Sequence, residues 1–127
     1  MLSQIEKRAL TWTRVLVVIS GAVLSILSGC SQKADVQAQA GELEKVFRAE
    51  HSNAFVGLAV SAVRTNDYAV SAIALQTARR MPGMTPDQLM AVQRTLESIT
   101  ADLVARAARG DANAKAALAA IERSRSQ

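Results

Sequence analysis

The chain has one cysteine, one histidine, two prolines and very few aromatic side chains in 127 residues. One cysteine excludes an internal disulfide framework. The lone histidine, His51, has no serine–acid arrangement around it in the sequence. Base catalysis needs an oriented partner, so His51 reads as a polar residue at a helix junction. Nothing resembles a phosphate-binding loop, a dinucleotide fingerprint, a zinc spacing or a nucleophile elbow. The carboxylates are scattered singly. No catalytic residue, metal site or cofactor is therefore assigned, and the expectation is a protein that is not an enzyme.

Charge excludes less than it first suggests. The formal net charge is +4, but Lys7, Arg8 and Arg14 against Glu6 supply half of it before residue 29. From Cys30 onward 12 basic residues face 10 acidic ones. A nucleic-acid footprint needs a clustered basic face, so no nucleic-acid partner is expected. What is abundant is alanine. It favours helix strongly and buries little area per residue. After the first 29 residues the only aromatics are Phe47, Phe55 and Tyr68. A small domain of this composition has modest stability unless a partner or a second copy covers part of it.

The N-terminal segment differs from the rest. Met1–Arg14 is polar and basic, and Val15–Leu27 is an apolar run of 13 residues. As a helix that run spans roughly 20 Å, short of the ~30 Å hydrocarbon core. Length and flanks fit a secretory signal better than a membrane span. The run ends in Leu27-Ser28-Gly29-Cys30, an aliphatic residue, two small ones and a cysteine. These four residues resemble the lipobox of bacterial lipoproteins.

The resemblance implies cleavage between Gly29 and Cys30 and a diacylglycerol on the Cys30 thiol. Palmitate-type acyl chains would then anchor the protein in the membrane, facing the periplasm. Ser31 resembles the class sorted to the outer membrane. Residues 1–29 are thus the signal peptide. Ser31–Ala40, polar and without an apolar period, reads with Cys30 as a flexible lipidated tether (residues 30–40) with a reach near 18 Å.

Residues 41–127 read as the helical domain. Leu43, Val46 and Phe47 have helical spacing, predicting a helix over 42–50. A second follows over 53–64, capped by Ser52, with Ala54, Phe55, Leu58, Ala59 and Ala62 inward; one bent helix over 41–64 is the alternative. Thr65-Asn66-Asp67 reads as a tight turn, with Asn66 left-handed and Asp67 capping a helix over Tyr68–Arg80. Its inward residues are Tyr68, Ala72, Leu75 and Ala78. Pro82-Gly83 stops it.

Thr85 and Gln88 make a capping box, with Pro86 at the first helical position and Met84 stapled to Leu89. The helix that follows carries a seam of Leu89, Val92, Leu96, Ile99 and Leu103. Asp111 caps a last helix over Ala112–Arg123, anchored by Leu118 and Ile121, and Ser124–Gln127 should fray. The fold class is all-α, a small antiparallel helical bundle or helical-hairpin array. Phe55–Gly83, with its turn at Asn66-Asp67-Tyr68, is similar to one tetratricopeptide-type (TPR-like) hairpin. It departs in Ser71 where that motif has alanine, in an early proline, and in the lack of a second copy.

Four residues are candidates for interaction: Leu96 and Ile99 on the seam, and Arg79 and Arg80 at a helix end. With Arg64 the two arginines would form a basic spot suited to anionic headgroups or an acidic partner. A solvated helix end favoured by the dipole is the simpler reading of the same arginines. Met81, Met84 and Met90 surround the Pro-Gly turn, and the staple and gap-filling account for them. Soft sulfur ligands for copper(I) are the alternative, without a nearby His or Cys to support it. The functional expectation is a non-catalytic interaction module that binds an envelope protein or itself. The alternatives are a spacer lipoprotein without a client and a methionine-based copper carrier.

Overall fold

The computed structural model describes residue 33, residues 35–48 and residues 53–127. All regular structure among them is helical: α1 over residues 35–48, α2 Ala54–Arg64, α3 Tyr68–Arg79, α4 Pro86–Ala108 and α5 Ala112–Arg125. The small helical bundle expected from the sequence is what forms. No helix among the described residues is long and apolar enough to cross a membrane.

Two three-residue connectors built on one plan fold the chain back on itself. After α2, Asn66 adopts φ 60°, and the N–H groups of Asn66 and Asp67 donate to Val63 O and Ala62 O at 3.0 and 2.8 Å. After α4, Gly110 adopts φ 91°, and Gly110 and Asp111 donate to Ala107 O and Arg106 O at 3.0 and 3.1 Å. Each is a Schellman closure, which needs a left-handed residue just past the helix end. The aspartate that completes it then caps the next helix. Asp67 accepts from Val70 N, and Asp111 from Asn113 N and Ala114 N. Helices joined this tightly run antiparallel, so α2–α3 and α4–α5 are hairpins.

The α3–α4 link uses the capping box. Thr85 Oγ1 accepts from Gln88 N and Gln88 Oε1 from Thr85 N. One cavity is lined by the start of α3, the end of α4 and the start of α5. Another is lined by the ends of α3 and α5 and the body of α4. Helices α3 and α5 therefore run parallel, with α4 opposed to both. Helix α1 lies against α2 and α4. Gln37 donates to Val63 O at 3.0 Å, and Ser98 donates to Asp35 at 2.5 Å.

The core runs through Val36, Leu43, Val63, Leu75, Val92, Ile99 and Leu103, all at most 2 % exposed. The inward residues expected for α3 are all buried, as are Val92, Leu96, Ile99 and Leu103 of the seam. Several expectations need correction. The tether over 30–40 does not hold for residues 35–40. They are helical, and Val36 and Ala40 are 0 % and 3 % exposed. With Leu43 and Phe47 these two make a 4-3-4 stripe, so the helical domain starts before residue 41. The cap of α2 is Asn53 rather than Ser52. Its extended backbone and its Oδ1, which accepts from Phe55 N and Val56 N, divide α1 from α2 and rule out a single bent helix.

Helix α2 is also rotated from the expected face. Phe55 and Leu58 are exposed while Val56, Ala59, Val60, Ala62 and Val63 are buried. Leu89 is exposed, although Met84, its expected staple partner, packs against the core. Helix α5 extends to Arg125 because Ser124 is tied to α3 through Gln76 Oε1 at 2.9 Å.

Polar groups are buried where α3 meets α4. Asp102 is 2 % exposed, and its Oδ2 lies 3.6 Å from Arg106 Nη1. Tyr68 Oη and Ser71 Oγ are buried without hydrogen-bond partners. Burial pushes the Tyr68 phenol's pKa up, and the Asp102 carboxylate adds to the effect. The folded state thus favours the neutral phenol. That contribution is complete below the ordinary tyrosine pKa of about 10 and is lost as pH rises through the elevated folded value. An unpartnered hydroxyl adds nothing to offset its desolvation. Tyr68→Phe should leave stability unchanged or raise it by up to about 1 kcal/mol. Urea unfolding would show this, and the alkaline decline should flatten in the variant.

Candidate functional site

Three of the four candidate interaction residues come together. Arg79 and Arg80 at the end of α3, Leu96 on α4 and Arg125 at the end of α5 line one groove. Its volume is about 630 Å³, within the range of ligand-sized pockets. Residues Gln93, Leu96, Glu97, Thr100, Ala101 and Val104 recur at helical spacing, so one face of α4 forms its wall. The fourth candidate, Ile99, does not reach it. At 0 % exposure Ile99 is core, one turn away on the buried side of the seam.

The groove is polar and cationic over an apolar base. Arg79 Nη1 donates to Gln93 Oε1 at 3.0 Å, and Gln93 Nε2 donates to Glu97 Oε1 at 2.8 Å. This relay holds Arg79 across the α3–α4 interface without neutralising it directly. The Arg80 side chain has no ion-pair or hydrogen-bond partner among the described residues, while its backbone N–H donates to Thr77 O at 3.1 Å. Arg125 lies 3.6 Å from Glu122, an exposed i,i+3 pair worth little. Leu96 is 7 % exposed at the base, and Val104 is 53 % exposed beside it. Gln76 also lines the groove. Its Oε1 accepts from Ser124 Oγ while its buried Nε2 has no partner.

The basic spot drawn from the sequence is only partly assembled. Arg64 lies at the other end of the α2–α3 hairpin and donates to Glu44 Oε2 at 2.6 Å, so it belongs to a separate α1–α2 cleft. Arg125 and Gln76 escaped the sequence reading. Arg125 stood in a segment expected to fray, and a glutamine inside an apolar α3 carries no local sign of burial. Met84 packs against the core, whereas Met81 and Met90 are exposed. Among the described residues no group of three or more His, Cys, Asp and Glu side chains is placed to hold a metal. Cys30, Gly29 and His51 lie outside the described residues.

No family model, curated protein or solved structure matches the chain.

Proposed function

We propose that the chain is a bacterial lipoprotein, lipidated at Cys30, whose helical bundle docks an envelope protein and catalyses no reaction. The signal-like leader and Leu27-Ser28-Gly29-Cys30 support the anchor. Ser31 supports the outer membrane, with the bundle facing the periplasm. The observation that carries the interaction role is the groove, where exposed arginines stand around partly exposed apolar side chains with few internal partners. Arginine is enriched at protein interfaces, and an apolar centre with a polar rim is their common anatomy.

The early start of α1 adds a constraint. Five residues separate Cys30 from the core residue Val36, a span of about 20 Å at full stretch. A bundle on so short a leash stays near the headgroups, and its partner would be met there. In-cell cross-linking of the tagged full-length protein, with capture read by mass spectrometry, tests the role. One envelope protein should be enriched, and the enrichment should weaken in Cys30→Ala. Recovery of nothing beyond the protein itself would instead favour a spacer without a client.

A further inference from the structure

We infer that the α3–α4–α5 groove recognises a single carboxylate on a protein partner, an acidic side chain or chain end flanked by an aliphatic residue. This inference rests on the docking role proposed above and names the chemistry of that site.

The charge inventory of the groove selects the ligand. Arg125 is paired with Glu122, which leaves Arg79 and Arg80 with two positive charges against the one negative charge of Glu97. The C-terminal ends of α3 and α5 both reach the groove, and each helix end carries about half a negative charge. At most one positive charge remains in excess. That matches one carboxylate and falls short of a phosphate dianion, which Glu97 would also repel. The dipole explains why arginines sit at these helix ends, but it does not use up their charge.

The neutral groups point the same way. Gln76 keeps a buried Nε2 without a partner, and a buried donor left unpaired is costly. A ligand oxygen settling at Gln76 would satisfy it. Glu97 Oε1 already accepts from Gln93 and keeps lone pairs for a peptide N–H. Between these polar groups, Leu96, Ala101 and Val104 offer an apolar strip for a side chain next to the carboxylate. Charge at one end, amide chemistry in the middle and an apolar strip alongside describe a short acidic peptide segment better than a lipid headgroup.

Site-specific photo-crosslinking of the full-length protein in cells tests this directly. A benzophenone amino acid replaces Val104 in the groove or, as a control, Lys115, which is exposed and outside it. The Val104 probe should label one protein, and the mapped segment should contain an aspartate, a glutamate or the chain end. The yield should fall about tenfold in Arg79→Gln/Arg80→Gln. Both residues are exposed, and circular dichroism should show that variant still folded. Labelling of lipid alone, labelling of a segment without a carboxylate, or yield unchanged in the double variant would each overturn the inference. A partner captured in the pull-down but labelled only from Lys115 would overturn the groove and leave the docking role standing. Absence of any partner in both experiments would overturn both.

Discussion

Ile99→Asp is expected to unfold the domain outright. Ile99 is 0 % exposed, in the middle of the seam that α4 turns toward the rest of the bundle. The change removes a large apolar side chain and places a carboxylate at a fully buried position of the hydrophobic core. A core truncation alone costs about 2–5 kcal/mol at such a site. Burying an unpaired charge adds several more, against a total of about 5–15 kcal/mol for a whole domain. An alanine-rich bundle with so few large side chains belongs at the lower end. Circular dichroism should show helix lost at 25 °C, whereas Ile99→Val should cost only about 1 kcal/mol. Leu96→Asp should be milder, because Leu96 is 7 % exposed at the groove and its carboxylate could reach water and the arginines. A folded Ile99→Asp variant would mean that the seam is not the core.

The contrast between Leu96 and Ile99 marks the limit of what the sequence reveals. Spacing put both on one stripe, and one turn of helix then divides a groove wall from a fully buried position. Features fixed by local chemistry were legible. The Thr85–Gln88 box, the left-handed Asn66, and the aspartate caps at Asp67 and Asp111 each need only their neighbours. Helix α2 was not legible in the same way. Its sequence is apolar nearly all round, so periodicity could not choose between the Phe55–Leu58 face and the Val56–Val60 face.

The start of α1 was missed for another reason. Its polar residues are satisfied at long range, Asp35 by Ser98 and Gln37 by Val63, 63 and 26 positions away. No local pattern announces such contacts. Half of the groove shared this fate. Arg79 and Arg80 are visible as a basic helix end, but Arg125 joins them only because α5 runs parallel to α3.

Arg106→Ala is the second large expected effect, and it depends on charge rather than on shape. Arg106 lies between two carboxylates, 2.8 Å from Asp111 Oδ2 through Nη2 and 3.6 Å from Asp102 Oδ2 through Nη1. Asp102 is buried and has no hydrogen bond at that oxygen. Removing the arginine leaves its charge facing the core alone. Breaking a fully buried pair costs about 3–5 kcal/mol. The Arg106 side chain is 31 % exposed, so screening lowers the expected cost to about 2–3 kcal/mol. Asp102→Asn in the Arg106→Ala background removes the stranded charge and should recover more than half of the loss in urea titrations.

Asp111 separates the cap from the ion pair. The N–H of Ala114 and then the Arg106 guanidinium hold its carboxyl below the usual carboxylate range. Its contribution is therefore present above an unfolded pKa of about 4 and lost as pH falls through the folded value. Asp111→Asn should keep the cap, since asparagine accepts the same N–H groups, and should flatten the acid limb of the stability curve. Arg106→Ala should flatten it only in part, because the Ala114 N–H remains. An Arg106→Ala variant as stable as the parent at neutral pH would mean that the pair closes the α4–α5 turn without contributing charge stabilisation.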